Sequence, residues 1–257
     1  MGVDLRGASV LLTGASSGIG AALAPLLAAK DTRLGLVARR ADRLAAVAER
    51  CRAAGATEVV VWEADLSDLD RAEQVARDAE ERFGGLDVLV NNAGAPKRKD
   101  VLALTWAEVE HTMRLNHLSP VRMTLAVLPG MVARDHGCIV NVSSLGGRLG
   151  IMGEAAYSAS KFAMAGGSEA MAADLHHTGV EVRLILPGAI ATEIWDQPGS
   201  DPAYYEGPFE PAEDVAAGIG AAVRGGTIAH YLPGPVASVG ANTAGARGFP
   251  GGLVAPP

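Results

Sequence analysis

Two cysteines are all that the 257 residues contain. Cys51 and Cys138 are too few for a disulfide framework and lack the clustering of a zinc site, so no metal is expected. Basic residues are also short, 22 against 29 acidic, for a net charge of −7. That balance suits neither a polyanion nor a basic tail, and nucleic acid is not an expected partner. Aromatic residues make up only 4%. No apolar run is long enough to cross a bilayer; the longest, 21–29, is short and contains Pro25. The opening MGVDLRGASVLLTG lacks the basic, apolar and small-residue order of a secretory signal. Gly2 would suit myristoylation, but Arg6 stands where that signal wants Ser or Thr. No membrane association is expected, and the expected location is cytoplasmic.

What the chain does have is apolar mass, 49% of its residues, and 32 glycines. The first excludes a disordered chain. The second predicts frequent turns and close backbone approaches. Short apolar runs read as strands near 8–13, 33–38, 57–62, 87–90, 138–142 and 180–186, with a further one near 227–231. Most are continuous rather than alternating, as in a parallel sheet covered on both faces. Helical patterns separate them. One starts at Ser67, with Asp70 completing a capping-box variant, and ends at Gly84-Gly85. The expected fold is therefore α/β, a single-domain Rossmann-type doubly wound parallel sheet of about seven strands with helices on both faces.

Two stretches break the alternation. Residues 193–210 gather Trp195, Tyr204, Tyr205 and Phe209. They read equally as an apolar lid over a substrate site or as a flap that fills its own footprint. The tail 233–257 is rich in Gly and Pro and predicts no regular element. A draped extension and a disordered end both fit it, so the domain is taken as 1–232.

The first strand runs into TGASSGIG at 13–20 and then an Ala/Leu helix. Gly14, Gly18 and Gly20 sit where a strand turns sharply into a helix. The amino end of such a helix attracts a pyrophosphate through its free N–H groups and dipole. The spacing departs from the commoner Gly-x-Gly-x-x-Gly, so position at the head of an alternating chain carries the argument. The second strand ends in Val37-Ala38-Arg39-Arg40. A carboxylate there would suit the ribose of NAD, whereas arginines accommodate the 2′-phosphate of NADP. NADP is the expected cofactor and NAD the alternative; two ordinary surface arginines would read the same way.

A second cluster follows the strand at 138–142. Ser143 and Ser144 stand at its carboxyl end, and Tyr157 and Lys161 lie four apart on one helix face. Strand ends on that side are where doubly wound folds bind ligands. Moving a hydride to or from a carbon bearing oxygen requires a proton donor or acceptor at that oxygen. A free tyrosine, with a pKa of about 10, is only about 0.1% phenolate at pH 7. Bringing it to about 7 takes roughly 4 kcal/mol, and a neighbouring ammonium in a dry pocket supplies part of that. A serine hydroxyl can hold the substrate oxygen. Either motif alone is commonplace as surface or turn; the two in this order on these elements point to chemistry.

Taken together these residues resemble the short-chain dehydrogenase/reductase family over roughly 5–232. The resemblance rests on TGASSGIG, Asp65-Leu66, NNAG at 91–94, Asn116, Ser144, Tyr157-x3-Lys161, and Pro187-Gly188 with Thr192. It implies Tyr157 as acid/base, Ser144 as the residue positioning the substrate oxygen, and Lys161 as modulator of the tyrosine and ligand of the nicotinamide ribose. Asn116 would hold a water continuing a proton relay. For the cofactor it implies Ser16, Ser17 and Ile19 with the three glycines, then Asp65 and Leu66 by the adenine. Asn92, Ala93 and Gly94 would lie by the ribose, and Ile190 and Thr192 by the carboxamide. From residues alone, Asp65 and Asn91 read as turn formers and Asn116 as an ordinary helix polar group.

The stretches 114–124 and 143–166 are similar to steroid and other lipophilic carbonyl reductases. Helices 100–116 and 154–177 match those the family pairs between subunits, implying a homodimer or homotetramer. The expected activity is hydride transfer between NADP(H) and a lipophilic ketone or secondary alcohol. A dinucleotide-sensing binding protein on the same fold is the competing class, and its mark would be loss of the Tyr or the Lys. Epimerases and dehydratases of this scaffold usually carry a larger carboxyl region. Lys97-Arg98-Lys99 is expected to be a solvated loop, and His176-His177 a helix end.

Overall fold

The computed structural model describes residues 2–233 except 198, 204 and 206. Tyr204 of the aromatic stretch and the tail from 234 onward lie outside the described residues. Seven strands are present: β1 (Ser9–Thr13), β2 (Arg33–Ala38), β3 (Glu58–Glu63), β4 (Val88–Asn91), β5 (Gly137–Val142), β6 (Val180–Pro187) and β7 (Ala229–Leu232). They form one sheet in the order β3-β2-β1-β4-β5-β6-β7, every pairing parallel. Among the described residues seven α-helices cross between them: α1 (Gly18–Ala28), α2 (Ala41–Ala54), α3 (Leu69–Phe83), α4 (Trp106–Met113), α5 (Ser119–Ala133), α6 (Ala155–Asp174) and α7 (Ala212–Val223).

Alternate residues of each buried strand serve opposite layers. Val10 and Leu12 of β1 join Leu23, Leu27, Val47 and Ile219 from α1, α2 and α7. Leu11 and Leu89 face Val75, Phe83, Met123 and Val127 of α3 and α5. β1 and its neighbour β4 carry the chain in opposite directions across the sheet, so a crevice opens at their carboxyl ends.

Two local expectations need correction. The cap of α3 is Asp68, not Ser67: its carboxylate accepts from the amides of Asp70 and Arg71, both at 3.1 Å. Aspartate satisfies two orphan donors at once, and its charge suits the helix amino end. Ser67 instead donates through Oγ to Asp65 at 2.8 Å. Asn91 is likewise no turn former but the last residue of β4, buried. Its Nδ2 donates to Asn141 Oδ1 at 2.8 Å and Thr124 Oγ1 at 3.2 Å, and Asn141 Nδ2 donates to Ser168 Oγ at 2.9 Å. This chain of polar side chains crosses an otherwise apolar layer from β4 to α6.

Candidate active site

The turn after β1 depends on its glycines. Gly14 and Gly18 have φ of +67° and +52°, a region other residues rarely enter. A Cβ on Gly20 would lie 2.3 Å from the carbonyl oxygen of Gly14, so the helix can start this close to the strand only with glycine there. Thr13 ties the turn to the β4 loop, its Oγ1 accepting from the amides of Asn92 (2.9 Å) and Ala93 (3.0 Å). α1 starts without a side-chain cap. Ser17, at its cap position, accepts from Arg40 at 2.7 Å instead. The α1 amino end therefore receives no side-chain acceptor of its own, as suits a site for an anion.

A cavity of about 450 Å³ joins this turn to the tyrosine cluster. Gly14, Ser16, Ser17, Gly18, Ile19, Arg39, Arg40, Leu66, Asn92, Ala93 and Gly94 line one part of it. Ser144, Tyr157, Lys161, Pro187, Gly188, Ile190 and Thr192 line the rest. Gly20, Asp65 and Asn116 are not among the lining residues; Gly20 and Asn116 are buried and Asp65 is exposed. Asp65 accepts from the amide and hydroxyl of Ser67 and approaches Arg39 at 4.0 Å. An elongated ligand with an anionic centre fits these residues, and a nicotinamide dinucleotide is such a ligand.

At the reacting end, β5 delivers two serines with different fates. Ser143 Oγ donates to the Lys161 carbonyl at 3.0 Å and is buried, which removes it from chemistry. Ser144 Oγ accepts from the Gly146 amide at 3.1 Å and keeps its own proton to donate. A Cβ placed on Gly146 would lie 3.3 Å from the Tyr157 ring and 3.5 Å from Ser144 Oγ, so the two side chains meet around that glycine. Lys161 Nζ sits 5.7 Å from the Tyr157 ring centre and donates to the Val142 carbonyl at 2.9 Å. Asn116 occupies a π-helical turn, 114–118, the kind of irregularity often found at functional sites. Its amide exchanges two hydrogen bonds with the backbone of Ala95 and donates to Ser160.

Burial dominates the titration of this cluster. It pushes the Tyr157 phenol up to about 12, opposed by hydrogen bonding from Ser144. The nearby Glu154 charge adds to the rise and Arg98 counters it. Burial also brings the Lys161 ammonium down to about 8. Desolvation is the largest cause for both groups, raising the phenol and lowering the ammonium.

The loop 97–99 overturns its expectation of solvation. Arg98 is 4% exposed. It donates to the carbonyls of Asp201 (2.9 Å) and Trp195 (2.5 Å), with a longer approach to Ile194 (3.4 Å), and stacks on the Trp195 ring. Lys97 and Lys99 flank it, both paired to Glu108 at 2.8 and 2.9 Å. Arg98 therefore holds down the segment 193–210. Trp195, Tyr205 and Phe209 pack on one another, while Ile194, Trp195 and Tyr205 also roof the cavity. The base of the segment is pinned by backbone bonds between Ala189 and Glu210 and between Ala191 and Glu210. Glu193, at its start, pairs with Arg40 and Arg43.

Among the described residues no cluster of three or more His, Cys, Asp or Glu could hold a metal, and no helix is long and apolar enough to cross a membrane. Cys138 is fully buried in β5, its thiol pushed up to about 12 by desolvation.

Comparison with known proteins bears on this site. The family model described as short chain dehydrogenase matches residues 8–203. A fatty acyl-CoA reductase of Mycobacterium tuberculosis is 38% identical over 199 residues. The match spans 75% of this chain and 66% of that protein, just under two thirds of its length. A metagenomic short-chain oxidoreductase solved in complex with NADP superposes with a TM-score of 0.76 at 30% identity, covering 90% of this chain and 97% of its own. A short-chain dehydrogenase from Burkholderia phymatum in complex with NAD gives 0.82 at 24% identity, over 93% of each chain, and speaks for the fold.

Proposed function

The chain belongs to the short-chain dehydrogenase family, and from that premise we propose that it is an NADP(H)-dependent reductase of lipophilic ketones. One observation carries the reading: a single cavity is lined by an uncapped helix amino end and by Ser144, Tyr157 and Lys161. When bound, a nicotinamide dinucleotide supplies the hydride. The protein's own part is to hold the carbonyl and deliver a proton. Ser144 donates a hydrogen bond to the substrate oxygen and stabilises the charge that grows there. Tyr157 then donates its proton to that oxygen. Burial raises the phenol, so Tyr157 carries at neutral pH the proton that reduction requires. Lys161, with one proton on Val142, keeps two for a ribose.

The cofactor preference rests on Arg39 and Arg40. Arg40 is engaged by Ser17 and Glu193, whereas Arg39 is more than half exposed and, among the described residues, has only the 4.0 Å contact to Asp65. Arg39 is the guanidinium left for a 2′-phosphate. Leu145, Leu149, Ile151, Met152 and Trp195 support an apolar substrate. Exposed Trp106, Leu125 and Phe162 on α4, α5 and α6 support assembly through those helices into a homodimer or homotetramer.

The test is cofactor oxidation with a ketone panel, using NADPH and NADH side by side. A Tyr157→Phe protein is expected to lose at least about 100-fold in kcat while binding cofactor normally. Turnover at the wild-type rate would remove the tyrosine from the mechanism.

A further inference from the structure

Glu154 stands three residues before Tyr157, at the cap position of α6, and its placement is unusual. A carboxylate there ordinarily turns back onto the first amides of the helix. Glu154 makes no such bond. Its backbone is fixed, the amide donating to the Ile151 carbonyl at 3.1 Å and the carbonyl accepting from Ser158 at 2.7 Å. The side chain lies in the cavity wall and the residue is 7% exposed. Among the described residues no hydrogen bond or ion pair reaches its carboxylate. The charges in its neighbourhood are those of Arg98 and, when ionised, Tyr157. The Arg98 charge is felt at Glu154, but its two short hydrogen bonds go to the carbonyls of Trp195 and Asp201.

A buried carboxyl group without a partner is costly and is normally satisfied by a ligand, a metal or water. Among the described residues no group of three or more His, Cys, Asp or Glu could hold a metal. The Glu154 carboxyl group faces the cavity, where water meets it until a ligand enters. The position three residues before the proton donor places it beside a bound substrate. We propose that Glu154 is a specificity-determining residue that accepts a hydrogen bond from a donor group on the substrate, a hydroxyl or an ammonium, placed a few atoms from the carbonyl that Tyr157 and Ser144 hold. The inference rests on the reductase reading and narrows it, from any lipophilic ketone to a hydroxy- or amino-ketone with an apolar frame. Either protonation state of a carboxyl group offers an acceptor oxygen, so recognition does not depend on which is present.

The experiment compares cyclohexanones bearing methyl, hydroxyl or amino groups at ring carbons 3 and 4. It uses wild type, Glu154→Val and Glu154→Gln with the preferred cofactor. In wild type, kcat/KM for a donor-bearing ketone is expected to exceed that of its methyl counterpart at least tenfold. Glu154→Val brings the ratio to within twofold, chiefly through KM. Glu154→Gln, which keeps an acceptor oxygen but no charge, retains a preference for hydroxyl and loses one for ammonium, so it separates the two donors. Glu154→Val is also expected to melt above wild type, since an unpartnered carboxyl leaves the interior. An unchanged ratio in Glu154→Val, with Tyr157-dependent turnover intact, overturns the inference and leaves the reductase standing. Absence of Tyr157-dependent turnover across the whole ketone panel overturns both.

Discussion

Replacing Arg98 by alanine should open the roof of the cavity while leaving the fold intact. Two of its bonds to segment carbonyls, at 2.5 and 2.9 Å, are well formed; the third, at 3.4 Å, counts for little. Hydrogen bonds from a charged donor contribute about 1.5–3 kcal/mol each, so the pair holds the segment by roughly 3–6 kcal/mol. The freed carbonyls recover water once the segment lifts, which makes the lower figure the better guide. About 3 kcal/mol corresponds to roughly a hundredfold rise in the open population. Amides of 191–203 should therefore exchange hydrogen roughly a hundred times faster, read by mass spectrometry, and KM should rise with little change in melting temperature. Local opening of this kind need not disturb the sheet, whose core lies in other layers. Arg98→Lys should not rescue, because an ammonium lacks the planar fork that reaches two carbonyls. Exchange in 191–203 indistinguishable from wild type, with KM within twofold, would refute the clamp.

Two further outcomes follow from the same cavity. Arg39→Asp is expected to weaken NADPH binding by at least tenfold and NADH binding much less, measured by cofactor fluorescence titration; equal losses would count against a 2′-phosphate contact. Burial raises the folded-state pKa of Glu154 above its ordinary 4.5. The folded state then binds more protons than the unfolded one between those two values, so this group makes stability fall as pH rises through that window. Acid titration of urea stability should show this slope in wild type and lose it in Glu154→Gln. A slope retained in the variant would assign it to another carboxyl.

Much of this was legible in the amino-acid string because it depends on local pattern. The continuous apolar runs and the intervening 3.6-residue periodicity marked the seven strands, with β7 shifted to Ala229–Leu232 from the expected 227–231. The convergence of Ser144, Tyr157 and Lys161 on one cavity was legible because the strand and helix that carry them have readable periods. Arg98 and Glu154 were not. Arg98 sits in a run of three cations, and what buries it arrives about 100 residues later, as the carbonyls of Trp195 and Asp201. Glu154 precedes a helix, where an acidic residue passes for a cap; only the wall of the cavity shows that it is none. The burial of Tyr157 and Lys161 was not legible for a related reason. Spacing shows that Lys161 is near, whereas the water excluded around both groups is a property of the assembled layers.

Strands wrapped on both faces carry no inside and outside to choose between, so apolar content alone would let β4 slide along β5 with little penalty. The amide of Asn91 laid against that of Asn141 forbids the slide, since any displacement would strand both groups in hydrocarbon. Three residues beyond one asparagine comes the Gly94 loop, and three beyond the other comes Ser144. Two walls of the cavity are thus set to a common mark by a single dowel inside the sheet.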